Sequence, residues 1–181
     1  SMNRRDFLKS AAGIWVFGGT SLFNMNESLA ATVKLGPYLD PWTGKHGGYP
    51  KFDLIKVSGI KDALMKGMDI KRSTLKKITD QKEAPDFKNT IAEIEACCGP
   101  LDRAARFFEI FTSTMNDKEM QKIESEMTPV LQKFHDEVIQ NEPLFDRIKA
   151  VYEAREKSNL NDEQKRVTEV IYKSFTRRGA G

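Results

Sequence analysis

The sequence predicts an all-α fold: about five mostly antiparallel helices, some kinked, preceded by an irregular arm rich in glycine, proline and aromatic residues. Three observations predict it. Beyond residue 56, apolar residues recur at helical spacing, and the alternation of a half-buried strand is nearly missing. Cap-type residues stand ahead of the later runs, at Asn116-Asp117, Asn141 and Asn161-Asp162. The connections between runs are short, which sets neighbouring helices antiparallel.

The first helix is expected from about Ser58, a plausible N-cap, to Ile78. Ile60, Leu64, Met68, Lys71, Leu75 and Ile78 step round one face, with a lysine breaking the pattern once. Glu83-Ala84-Pro85-Asp86 is a loop, since proline biases the residue before it away from helix. The second helix starts between Phe87 and Thr90. Ile91, Ile94, Cys98, Leu101, Ala105 and Phe108 form its stripe, and Gly99-Pro100 predicts a kink or two helices meeting at an angle. Phe107-Phe108-Glu109-Ile110-Phe111 is the densest apolar patch after the leader and belongs in the core.

Asn116-Asp117-Lys118-Glu119 is a capping-box-like start for the third helix. Met120, Ile123, Met127, Val130 or Leu131, Phe134 and Val138 mark its face, and Pro129 predicts a bend. The fourth helix opens at Asn141 with Pro143 in its first turn, and Leu144, Phe145, Ile148, Val151, Tyr152 and Arg155 continue it. Asn161-Asp162-Glu163-Gln164 starts the fifth, followed by Val167, Val170, Ile171, Ser174 and Phe175, with Gly179 as a C-terminal stop.

Length and composition narrow the class. At 181 residues, 39% apolar and 30% charged, the chain reads as one soluble globular domain with a tail. Its 29 basic and 26 acidic side chains leave a net charge of +3, too near balance to indicate a nucleic-acid partner. No apolar stretch reaches the ~18–20 residues of a membrane span.

Residues 1–30 read as an export signal. Arg4 and Arg5 precede Phe7-Leu8-Lys9, a modestly apolar run follows from Ala11 to Phe23, and Ser28-Leu29-Ala30 has the small residues of a cleavage site. The stretch Arg4-Arg5-Asp6-Phe7-Leu8-Lys9 resembles a twin-arginine signal. That resemblance implies export of an already folded protein to a bacterial periplasm; with no cysteine near the cleavage site, no lipid anchor is expected and the cleaved chain should not attach to a membrane. Ser1 ahead of Met2 reads as a cloning scar. Cleavage after Ala30 leaves 26 basic against 24 acidic residues.

Residues 31–56 form the arm, and residues 57–181 the helical domain. Gly36-Pro37, Asp40-Pro41, Gly44, Gly47-Gly48 and Pro50 exclude a helix or a central strand. The arm carries Tyr38, Trp42, Tyr49 and Phe52, whose spacing suggests that it lies on the domain. These four are the candidate partner or peptide surface.

The residues make no complete active site. H-E-x-x-H needs two histidines one helical turn apart, and His46 and His135 are the only two. His135 is expected at the surface or its boundary, and His46 in solvent. Cys97-Cys98 is adjacent, not C-x-x-C, so a shared metal or a mutual bond is disfavoured. Cys98 is expected in the core and Cys97 at its edge. No G-x-S-x-G or phosphate-binding glycine loop occurs. Glu93, Glu95, Glu124, Glu126, Asp136 and Glu137 read as solvated faces, with Glu93 and Glu124 opposed by lysines and arginines. Arg177-Arg178 complements a helix C-terminus. No catalytic residue, metal ligand or cofactor is therefore assigned to this chain.

Several segments carry a family resemblance by their order: Pro50-Lys51-Phe52-Asp53-Leu54-Ile55-Lys56; Ala84-Pro85-Asp86-Phe87-Lys88-Asn89-Thr90-Ile91; Leu101-Asp102-Arg103; Phe111-Thr112-Ser113 with Asn116-Asp117; Asn141-Glu142-Pro143-Leu144-Phe145-Asp146-Arg147-Ile148-Lys149; and Tyr172 to Ala180. From Pro37 to Gly181 the chain resembles the N-terminal helical region of the thimet-oligopeptidase-like zinc metallopeptidases, the peptidyl-dipeptidase and oligopeptidase A group. Lys88, where the family usually has glutamate, and Pro100 depart from the pattern. The resemblance implies a larger enzyme that cuts short peptides, its zinc held by H-E-x-x-H histidines and a further glutamate in a catalytic portion downstream. Its helices form one wall of a peptide channel, and its partners are that C-terminal portion and short peptides.

The leading expectation is thus the N-terminal, non-catalytic domain, or a truncated product, of an exported zinc peptidyl-dipeptidase. The alternative is a stand-alone periplasmic helical binding protein. A weaker third idea is a cofactor carrier using His135 and methionines, which at helical spacing are more often core filler.

Overall fold

A computed structural model describes residues 35–42, 52–115 and 117–177, with Cys98 described by its backbone alone. Among these residues the regular structure is helical. After a 3-10 turn at Phe52–Leu54 come α1 (Val57–Asp80), a π-helical turn (Phe87–Ala92), α2 (Glu93–Thr114), α3 (Lys118–Ile139), α4 (Glu142–Glu153) and α5 (Asp162–Thr176).

The expected buried stripes are found with few changes. Ile60, Leu64, Met68, Leu75 and Ile78 of α1 are buried, and so is Lys71. The lysine that interrupts the pattern stays on the inner face, its ammonium 5.8 Å from the centre of the Phe134 ring. In α3, Leu131 takes the inner position and Val130 is exposed. In α5, Val170 is exposed where the periodicity placed it inside.

Helix ends depart from expectation where tertiary contacts intervene. α1 begins at Val57, so Ser58 lies in its first turn and is not its cap. The backbone ahead of that turn is held by Tyr38, whose phenol accepts from the Lys56 N–H and donates to the Lys56 carbonyl, each at 2.8 Å. Asp86 and Asn89 form a capping box at the π-helical turn, and Asn161 and Gln164 form another at α5. Asn141 caps α4 by accepting from Leu144 N–H at 3.1 Å. At α3 the cap is Asp117, which accepts from Met120 N–H at 2.8 Å. α4 stops at Glu153, short of Arg155. Arg155 instead folds back, donating to the Tyr152 carbonyl at 2.7 Å. Gly179 lies outside the described residues.

Neither internal proline divides its helix: Pro100 sits within α2 and Pro129 within α3. A proline removes one backbone hydrogen bond from the ladder. Burial of Ile94, Leu101, Ala104 and Ala105 on either side of Pro100 holds α2 in one piece.

The chain divides into two compact units, Ser1–Gly67 with Gly99–Met127, and Met68–Cys98 with Thr128–Gly181. The first contains the arm. In it α1 and α2 approach at Gly67, where an added Cβ would stand 2.9 Å from the Leu101 Cα. Lys61 of α1 also meets Glu126 of α3 at 2.6 Å.

In the second unit, α4 and α5 pack on each other and on the π-helical turn. Arg147 of α4 donates to the Glu83 carbonyl at 3.0 Å and to Asn89 Oδ1 at 3.1 Å. Asn89 also donates to the Ala84 carbonyl at 2.8 Å. Two of the family-like segments, Ala84 to Ile91 and Asn141 to Lys149, therefore meet through hydrogen bonds. The third, near the C-terminus, joins them by ring stacking. Tyr172 lies 3.9 Å from Tyr152 and 5.9 Å from Phe145, and Phe145 is 6.2 Å from Phe175. Arg155 covers the outer face of Tyr152 at 3.8 Å.

Candidate functional site

Of the four aromatic residues singled out in the arm, three converge. Tyr38, Trp42 and Phe52 all meet Phe107 of α2 edge to face, with ring centres 6.3, 6.0 and 5.7 Å away. Phe107 has no exposed surface. Edge-to-face pairs add ~0.5–1.5 kcal/mol each beyond the area they bury. Tyr49 lies outside the described residues, as do His46 and Arg4, Arg5, Phe7 and Leu8 of the leader.

Backbone chemistry shapes the arm before it docks. Gly36 takes φ +99°, where a side chain would be strained. Its carbonyl accepts from the N–H groups of Leu39 and Asp40 at 3.1 and 2.9 Å, and Leu35 N–H donates to Asp40 Oδ1 at 2.7 Å. This closed turn presents Leu39 to the helices, where it is 1% exposed.

Arg103 then fastens the turn by donating from Nε to the Leu39 carbonyl at 2.7 Å. Burial draws the Arg103 guanidinium below its ordinary pKa, while Asp102 and Asp40 act in the opposite sense. Arg106 lies 5.9 Å from the centre of the Trp42 ring. The fit at Gly59 is close: a Cβ there would stand 2.3 Å from the Tyr38 hydroxyl oxygen.

The outer edge of the cluster is open. Phe52 and Leu54 are 46% and 52% exposed. Trp42 Nε1 is buried without an acceptor. Such a surface can hold apolar or aromatic side chains through its rings. The polar groups that join the arm to the helices serve the arm's own backbone.

Sequence reasoning selected the arm aromatics but missed their receptor. Phe107 was assigned to the core without the role of common partner, and Gly59, Arg103 and Arg106 were not singled out. Leu101-Asp102-Arg103 did carry a signal, as one of the family-like segments.

Two expectations about chemistry are corrected. His135 is buried, not at the surface, because α3 turns it onto the inner face beside Phe134. Cys97 is also buried rather than at the edge, and its thiol donates to the Ile94 carbonyl at 3.2 Å. Among the described residues no three His, Cys, Asp or Glu side chains are grouped to hold a metal ion. Zinc does not fit these residues, and no step is assigned through it. Among them, too, no helix is long and apolar enough to cross a membrane.

No protein-family model matches the chain. Over 131 residues it is 30% identical to a dipeptidyl carboxypeptidase of Salmonella typhimurium, a match covering 72% of this chain and 19% of that protein. It is 31% identical, over the same length and shares, to a dipeptidyl carboxypeptidase of Escherichia coli. The chain thus spans about a fifth of the length of the curated relatives it matches. The similarity marks a peptidase-related region.

Proposed function

We propose that this chain is the helical, non-catalytic part of an exported zinc-dependent peptidyl-dipeptidase, forming part of the wall of a channel for short peptides. The observation that carries the reading is the similarity over 131 residues to two dipeptidyl carboxypeptidases, of which the chain spans 19%. Zinc, the histidines that hold it and the water-activating glutamate belong, in this reading, to the remaining part of such an enzyme. The helices bind and orient. The export part of the reading rests on the paired arginines and the small residues before Ala31.

The test replaces the matched 131 residues of the Escherichia coli relative with this chain. The hybrid is expected to cleave a short peptide from its C-terminus two residues at a time. The chain alone, supplied with zinc, is expected to leave that peptide intact. Hydrolysis by the isolated chain overturns the non-catalytic assignment. An inactive but folded hybrid, together with a stop codon directly after Gly181 in the gene, favours the stand-alone binding protein. Export is tested by fusing residues 1–34 to a reporter. Periplasmic arrival that Arg4→Lys with Arg5→Lys does not stop removes the twin-arginine reading.

A further inference from the structure

We propose that Tyr152 and Tyr172 form an oxidative cross-linking site, at which a one-electron oxidant joins the two rings as dityrosine and ties α4 to α5. Both residues lie in the second compact unit, and the site stands apart from the peptidase reading. The two ring centres are 3.9 Å apart, with 8° between the planes. Aromatic pairs ordinarily sit with centres about 4.5–7 Å apart, so these rings overlap over most of their faces. Carbons of one ring therefore lie at van der Waals contact, about 3.5–4.0 Å, from carbons of the other.

The surroundings favour this pair. Both rings are half-buried, so a small oxidant reaches their edges while their faces stay covered. α4 and α5 pack on each other, and Phe145 stacks against Tyr172 at 5.9 Å, so the rings are held together before any oxidant arrives. The Arg155 cation, 3.8 Å from the Tyr152 ring, opposes loss of an electron from the ring it covers. The first electron therefore leaves Tyr172. Tyr38, by contrast, meets the phenylalanine ring of Phe107, and its hydroxyl is engaged by the Lys56 backbone.

Each tyrosine gives one electron to the oxidant and its hydroxyl proton to water, leaving two phenoxyl radicals. Their unpaired spin resides partly on the ring carbons next to the C–O bond. One C–C bond forms between two such carbons. The hydrogen on each of them then moves to the phenol oxygen, which restores both aromatic rings and both hydroxyls. The pair loses two electrons and two protons in all. With a haem peroxidase as the oxidant, these reduce one hydrogen peroxide to two waters. The bond needs one ring to tilt out of the stack, which the broad terminal torsion of a tyrosine side chain permits. It closes a loop between Tyr152 and Tyr172 across the α4–α5 connection, so the oxidised unfolded chain has fewer conformations to gain.

The test treats the full chain, at about 1 µM, with a haem peroxidase and hydrogen peroxide. Two side chains of one molecule meet at an effective concentration in the mM range, so coupling within the chain should exceed coupling between chains at least about tenfold. The expected product is a monomer lighter by two hydrogen atoms, with dityrosine fluorescence. After proteolysis it should yield one linked pair of peptides, carrying Tyr152 and Tyr172. Tyr152→Phe and Tyr172→Phe each keep a ring in the stack and remove a hydroxyl, and each should abolish that linkage. If either variant fails to fold, the linked-peptide map of the unaltered chain still decides. Dimers joined between molecules, a linkage through Tyr38 or Tyr49, or no linkage at a peroxide dose that couples free tyrosine each overturns the proposal. None of these results bears on the peptidase reading, which the hybrid enzyme tests.

Discussion

Gly67 and Gly59 show how differently two glycines of one helix respond to the same methyl group. A Cβ on Gly67 meets the Leu101 backbone at 2.9 Å, and a backbone cannot swing aside. Gly67→Ala is expected to destabilise the fold by about 1–3 kcal/mol as overpacking, despite the helix propensity it gains. Urea denaturation checks this. At Gly59 the obstacle is the Tyr38 ring, 2.3 Å away at its hydroxyl, so an added Cβ must move that side chain and strain the bonds it makes to Lys56. Arg147 is a third residue with a definite role, holding the Glu83 carbonyl and Asn89 at once. Arg147→Ala is expected to cost about 0.5–1.5 kcal/mol by removing its bonds to both segments, since Asn89 Oδ1 still accepts from Asp86 N–H and the Glu83 carbonyl can turn to water. Arg147→Lys should restore little, because an ammonium lacks the planar fork that spans both acceptors. Thermal unfolding of the two variants distinguishes loss of charge from loss of geometry.

At the scale of elements, the starts of α2 and α5 bring acidic groups under one another's influence. Burial raises the Glu95 pKa above its ordinary 4.5, and the negative charge of Glu163 raises it further. A carboxyl with a raised folded-state pKa adds stability while protonated. That contribution is full below the unfolded value and is lost as pH rises through the folded one. Glu95→Gln, neutral at every pH, is therefore expected to raise Tm at pH 7 and to change it little at pH 4. A Tm gain that persists undiminished at pH 4 would remove the charge explanation. The helix starts also show the reach of local rules. Asn141 and Asn161 cap as their types predict, because the bonds they make lie within one turn. Ser58 does not, since α1 already begins at Val57, behind a Lys56 backbone that Tyr38 holds from 18 residues away.

For the whole molecule, the described ion pairs lie largely in solvent. Lys61–Glu126, Arg72–Glu137, Lys76–Asp80 and Lys173–Glu169 each join side chains at least 38% exposed. Exposed pairs add little and are screened by salt. Raising sodium chloride from about 50 to about 500 mM should therefore move Tm by less than about 2 °C. A large fall would mean that the exposed charges carry more of the stability than their solvation allows. The molecule rests instead on its aliphatic and aromatic interior, including Phe107, Phe108 and Phe175, all nearly sealed from water.

The amino-acid sequence by itself determined the helical class, most of the inner stripes of α1 to α5 and the caps at Asn141 and Asn161. These depend on spacings of three or four residues, and periodicity and side-chain chemistry act over that distance without help from the rest of the chain. It also marked the arm aromatics and the segments that resemble a peptidase. Tertiary structure alone decided that Tyr38, Trp42 and Phe52 share Phe107, that Asn89 meets Arg147 58 residues away, and that His135 turns inward. It also carried α2 and α3 through their prolines. The physical reason is the same in each case. A residue's type fixes which contacts it can make, while the partner that comes within reach is set by packing between segments distant in the chain.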